Sequence, residues 1–248
     1  MEQIDKKTLV KKARQHLENG SLQEALRIYQ DILAIDPEYS QALHDLGMIQ
    51  FDAGNISEAI LLLKKTTQHE DKRPDFHNNL GTVLRASGDL AAAEKAFRKA
   101  LTLDRNLVPA LVNIGSILIE RGRIPAALKA LKRAIELAPK NSTALSNYAE
   151  ANKATGDIIE ALNSQLQAAK VDPLADFIWL NLANTHMDLE QWVESFEAVK
   201  KSIAGNIFFN SLPGKSISRA LYTPVAINIA SCFFLSSVNF IFFPTSMF

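Results

Sequence analysis

The chain has 248 residues, 47% of them hydrophobic and 22% charged, the ordinary balance of a soluble globular protein. Its formal net charge of zero lacks the basic surplus expected of a protein that binds nucleic acid or an anionic membrane surface. The single cysteine, Cys232, excludes an internal disulfide framework, and the charged stretch Met1 to Lys7 lacks the apolar run of a secretory signal, so a cytoplasmic location is expected.

A period of 34 residues runs through most of the chain. Glycine recurs at that step at Gly20, Gly54, Gly88, Gly122 and Gly156, and alanine at Ala25, Ala59, Ala93, Ala127 and Ala161. A third small residue stands at Ala13, Gly47, Gly81, Gly115, Ala149 and Ala183. Pro37, Pro139 and Pro173 close three repeats, while Asp71 and Arg105 fill that place in two others. In the third repeat Phe76, Leu80, Val83 and Leu84 have helical spacing up to Gly88, which can take the left-handed conformation that ends a helix. A second helix follows from Asp89 and Leu90 through Leu103, with Ala93, Phe97, Ala100 and Leu101 on one side. The small residues let the two helices approach closely. Such short helices are marginal alone and gain stability by stacking.

These slots, filled in register over roughly residues 6–206, resemble the tetratricopeptide repeat family, most plainly in Asn79-Leu80-Gly81, Gly88-Asp89, Ala93, Phe97 and Ala100. The resemblance implies an all-α, right-handed superhelical solenoid of about six helical hairpins, with an apolar C-terminal tail. The repeats are placed at 6–39, 40–73, 74–107, 108–141, 142–175 and 176–206, and the tail at 207–248. Lys12 suits a polar capping helix in the first repeat. The sixth repeat has Glu190 for the turn glycine and Ser195 for the alanine, and is expected to pack loosely; Trp179 takes the slot that the family usually fills with tryptophan.

The family resemblance also implies a concave groove lined by the first helix of each repeat. Counting slots from the start of each repeat at about 100° per residue, the core slots 4, 7, 8 and 11 cluster, and slot 6 lies roughly 150° from their mean. Slot 6 is therefore expected outside the core. It holds Asn79, Asn113, Asn147 and Asn181 in four successive repeats, after Lys11 and Asp45 in the first two. Helix propensity does not favour asparagine, whereas its amide matches the C=O and N–H of an extended backbone. The row is similar to the asparagine ladder in the repeats of O-linked N-acetylglucosamine transferase, which holds substrate peptides. The competing reading is that the asparagines were copied with the repeat and merely face water.

Slot 5 reads Val10, His44, Asn78, Val112, Ser146 and Leu180, which lacks the lysine of the carboxylate clamp found in chaperone-binding members of the family. His44 and His77, from adjacent repeats, are read as solvated groove residues, since two histidines without a third ligand make a poor metal site. No set of residues has the spacing of a nucleophilic triad, and no cofactor, metal or nucleic acid is expected. The expected function is a protein or peptide-binding scaffold, not an enzyme.

The tail holds only 2 of the 54 charges, Lys215 and Arg219, and eight of the thirteen phenylalanines. Three readings of it stay open. Residues 221–243 are long enough for a membrane anchor, as of a tail-anchored adaptor, but Pro224, Asn228, Asn239 and three serines disfavour it. Alternatively, Ile207-Phe208-Phe209 reads as a buried strand opening an α/β domain. Pro213, Lys215, Ser216 and Ser218 then resemble the phosphosulfate-binding loop of sulfotransferases, with Gly214 inserted and Ile217 in place of the motif glycine. On that reading the repeats are the substrate-docking arm of a truncated and inactive transferase. The third reading is a terminal segment with no function of its own.

Overall fold

The computed structural model describes residues 5–210, and within them every regular element is an α-helix. In order these are α1 (Lys6–Glu18), α2 (Leu22–Ile35), α3 (Ser40–Asp52), α4 (Ile56–His69), α5 (Pro74–Ala86) and α6 (Leu90–Leu103). They continue with α7 (Val108–Glu120), α8 (Ile124–Leu137), α9 (Ser142–Thr155), α10 (Ile158–Val171), α11 (Asp176–Asp188) and α12 (Trp192–Asn210). The fold is an all-α repeat solenoid built of helical hairpins. The chain divides into two compact units, Met1–Ile117 and Leu118–Phe248.

Local chemistry sets the helix ends. Gly88 has φ +86°, and the next residue closes the turn, Asp89 N donating to the Leu84 carbonyl at 3.0 Å. That bond from the residue after the glycine is the Schellman arrangement, which satisfies an otherwise orphaned helix carbonyl. Asp89 then caps α6, its carboxylate accepting from Ala92 N at 2.9 Å. In the sixth repeat Glu190 takes the same left-handed turn at φ +57°, with Gln191 N donating to the His186 carbonyl at 2.9 Å. The turn is therefore kept without its glycine, at a cost of about 1 kcal/mol for a side chain in that region.

Ser195 also has a place in that last hairpin. Its hydroxyl is buried and donates to the Ala183 carbonyl at 3.0 Å, so a polar atom in the alanine slot is satisfied across the hairpin. Ile178, Leu182, Ala183, Ala198 and Val199 are buried in one cluster there, so the expected loose packing is not found. Trp179 donates its indole N–H to the Pro173 carbonyl at 2.8 Å, with the Lys201 ammonium 4.4 Å above its ring.

One expectation is corrected at the C-terminal end. Ile207-Phe208-Phe209 is not a strand but the last stretch of α12, which at 19 residues outlasts the other helices. An apolar triplet has no period of its own, and no proline interrupts the helix before Pro213. The sulfotransferase-like stretch 211–218 and the apolar run 221–243 lie outside the described residues. Among those described, no helix is long and apolar enough to cross a membrane.

In the second and third hairpins a glycine at slot 8 faces a large residue at slot 24. A Cβ built on Gly81 would stand 2.6 Å from the Phe97 ring, and one on Gly47 would stand 3.0 Å from Leu63. Phe97 is fully buried, so its ring cannot retreat without disturbing its neighbours. Overpacking of this kind costs about 1–3 kcal/mol, against about 1 kcal/mol regained from the better helix propensity of alanine. Gly81→Ala should lower stability by about 1 kcal/mol, seen as a lower urea midpoint at constant slope. An unchanged or raised midpoint would show that the contact is not tight.

Candidate functional site

In the first unit the first helices of successive hairpins are joined by a continuous line of polar contacts. Arg14 on α1 grips Asp45 on α3 with two bonds, Nε to Oδ2 at 2.7 Å and Nη2 to Oδ1 at 3.0 Å. Asp45 also accepts from the Tyr29 hydroxyl at 3.0 Å and from Gln41 Nε2 at 3.0 Å. His44 Nδ1 lies 2.9 Å from Asp45 Oδ1, while its Nε2 lies 2.8 Å from the Asn79 amide nitrogen on α5. The amide can only donate to Nε2, so the imidazole carries its proton on Nδ1 and donates that to Asp45. Asn78 Nδ2 then donates to Asn79 Oδ1 at 3.2 Å, and Asn113 Nδ2 on α7 donates to Asn78 Oδ1 at 3.1 Å.

This seam runs Arg14, Asp45, His44, Asn79, Asn78, Asn113 and crosses α1, α3, α5 and α7. It corrects the reading of the histidines as solvated. His44 and His77 are buried, in slots 5 and 4 respectively. His44 stacks on Phe76 at 4.5 Å, and the Arg73 guanidinium lies 4.5 Å from that same ring. His77 Nε2 is 2.8 Å from the Asp71 carbonyl and donates to it. Helical angle placed slot 6 outside the core, but slot 5 is covered by the slot-6 side chain of the next hairpin, and slot 6 packs against the hairpin before. Asp45 in slot 6 is buried, whereas Asn79 and Asn113 are half-buried.

The second unit repeats the same kind of bond. Asn181 Nδ2 on α11 donates to Ser146 Oγ on α9 at 3.2 Å, and Lys153 on α9 pairs with Asp188 at 2.6 Å. Asn147 is half-buried on α9. The four expected asparagines thus fall two in each unit, each on a first helix. The Nδ2 atoms of Asn79, Asn113 and Asn181 point to the slot-5 side chain of the hairpin before. Their partners His44, Asn78 and Ser146 are each 35 residues earlier, one more than the repeat. A polar residue in slot 5 followed by asparagine in the next slot 6 is the signal that reveals the pairing. Among the described residues, Asn113 and Asn181 each use Nδ2 as a donor, and no hydrogen bond is found to their Oδ1.

A cleft of about 640 Å³ adjoins the seam in the first unit, with Lys7, Lys11, Arg14, Tyr39, Gln41 and Arg73 among its lining. Among the described residues no group of three or more histidine, cysteine or acidic side chains could hold a metal ion.

The electrostatic centre of the seam is Asp45. Burial pushes its carboxyl upward, but bonds from His44 and Arg14 outweigh burial and hold it at about 2. Burial, with Asp45 beside it, raises the Tyr29 phenol, and the bond to Asp45 raises Arg14. Because the native Asp45 value lies below the unfolded value of about 3.9, the unfolded chain binds the proton more readily. The carboxylate therefore contributes about 2 kcal/mol of stability that is complete above pH about 4 and lost as pH falls towards 2. Asp45→Asn should abolish that part of the acid-induced loss, measured as the pH dependence of the urea midpoint between pH 5 and 2. An unchanged acid profile would contradict the assignment.

Comparison with known proteins adds the family. A tetratricopeptide repeat model matches residues 16–80 and 84–142. Human tetratricopeptide repeat protein 7B is 36% identical over 85 residues, which cover 34% of this chain and 10% of that protein. The chain thus spans about a tenth of the length of the curated relatives it matches. A tetratricopeptide repeat protein from Parabacteroides merdae superposes with a TM-score of 0.72 at 17% identity, covering 92% of this chain and 87% of that one. YrrB, described as a tetratricopeptide repeat protein with an unusual peptide-binding site, superposes with a TM-score of 0.56 at 18% identity over 72% of this chain and 92% of its own. With its glycine turns, its small-against-large hairpins and half of its residues matched by the family model, the chain belongs to the tetratricopeptide repeat family.

Proposed function

We propose that the chain is a non-catalytic, cytoplasmic scaffold that holds an extended segment of another protein along the first-helix face of its repeats. The carrying observation is the row of half-buried asparagine amides on α5, α7, α9 and α11, two in each compact unit. A half-buried amide suits this work because its neighbours have already fixed its rotamer, so little entropy is lost when a guest binds. In Asn113 and Asn181 the donor is held by the preceding hairpin, which aligns the amide and leaves its oxygen for a guest backbone N–H. Main-chain contacts of this kind are tolerant of guest sequence. The peptide-binding site of YrrB is in keeping with this reading, as is the cleft beside Lys7 and Lys11. The lone Cys232 suits a reducing compartment, and the neutral net charge does not suit a nucleic-acid partner.

The test is a peptide selected from a random displayed library on the full chain. Each backbone bond contributes about 0.5–1.5 kcal/mol, so replacing Asn79, Asn113, Asn147 and Asn181 together by alanine should weaken that peptide at least about tenfold. Helicity by circular dichroism, unchanged at the assay temperature, separates lost grip from lost fold. Undiminished affinity in a folded quadruple variant would contradict the proposal.

A further inference from the structure

The second unit contains a buried polar atom that the fold itself does not use. Slot 24 holds Tyr29, Leu63, Phe97 and Leu131 in the first four repeats, all buried. In the fifth repeat the same slot holds Gln165 on α10, which is only 2% exposed. Its Oε1 is fully buried and accepts no hydrogen bond from the described residues. Leucine would fill this place without an unsatisfied acceptor, so the polar substitution has no packing rationale.

Gln165 lies at a pocket of about 290 Å³ between α9, α10 and α11. Gln165 and Ala149 both line it, at the slots where the third repeat sets the Phe97 ring against Gly81. Asn181 and Asn184 line it, as do Glu150 and Lys153. The Lys153 ammonium is already paired with Asp188 at 2.6 Å. Glu150 is exposed and pairs with nothing among the described residues, so the wall carries one uncompensated negative charge. The volume falls at or below the lower end of the roughly 300–1,000 Å³ of sites for whole small molecules, and suits one long side chain.

From the buried acceptor, the free carboxylate and the size, we infer that this pocket takes a single arginine side chain from the bound segment. The guanidinium would give one N–H to Gln165 Oε1 and others to Glu150, while its methylenes lie along Ala149. The inference rests on the peptide-binding reading above and adds a sequence preference to it. Asn181 joins the two, since it belongs both to the amide row and to the pocket wall.

The experiment is an NMR titration of the full, ¹⁵N-labelled chain with acetyl-Gly-Arg-Gly-amide, and with acetyl-Gly-norleucine-Gly-amide as the uncharged control. The arginine peptide should move the side-chain amide signals of Gln165 and Asn181 saturably, and the norleucine peptide should not. Gln165→Leu restores the residue that slot 24 holds in two other repeats, so it should fold, and it should weaken the arginine peptide about tenfold or more. No movement at these signals, equal movement with norleucine, or full binding by Gln165→Leu would overturn the inference. A library-selected peptide distinguishes the two levels: if it binds the parent chain and Gln165→Leu equally and without a basic residue, the pocket inference fails while the peptide-binding reading stands. If the arginine tripeptide binds at Gln165 but no library peptide is held by the amide row, the pocket stands and the wider reading fails.

Discussion

The whole structure depends on how closely two short helices can approach each other. A 13- or 14-residue helix is marginally stable alone, and the pairing removes that weakness only if the helices meet at close range. A small residue at slot 8 against a large one at slot 24 sets that range, most tightly where Gly81 meets the Phe97 ring. Once the hairpin is closed, its first helix has one face turned to its partner and another to the next repeat. The polar seam occupies the rim of that helix, where the proposed binding face lies.

The seam explains why a buried carboxylate is tolerated in a small helical unit. An isolated charge at Asp45 would be expensive, but four neighbours donate to it, and two of them come from other helices. Through His44 the same carboxylate fixes which imidazole nitrogen is free, and that nitrogen orients the Asn79 amide on the next hairpin. The residues that orient these amides also hold successive repeats in register. On the proposed reading, binding and folding share the same few atoms. Gln165 departs from this economy because its buried oxygen serves neither the seam nor the core.

Much of the fold was legible because the repeat multiplies weak signals. Gly20, Gly54, Gly88, Gly122 and Gly156 all sit at positive φ, as their spacing implied. The sixth hairpin was harder, because Glu190 and Ser195 keep the geometry by other means, a strained turn and a cross-hairpin hydrogen bond. Ile207-Phe208-Phe209 misled as a strand because an apolar triplet lacks the length to show a period. Of the candidate site, the residue types at slot 6 could be read but not their surroundings. The angle of a slot on one helix does not say what the next hairpin lays over it, which is why His44 looked solvated and is buried beneath Asn79; His77, in core slot 4, is buried as that slot implies. The orphaned oxygen of Gln165 became visible only once the atoms around it were placed.

The account's central claim is that the first helix of each repeat carries the binding face. Hydrogen–deuterium exchange of the full chain, with and without a saturating library-selected peptide, tests this directly. The account predicts added protection in α5, α7, α9 and α11, with α4, α6, α8 and α10 little changed. Protection confined to the second helices, with the asparagine-bearing helices unaffected, would contradict it.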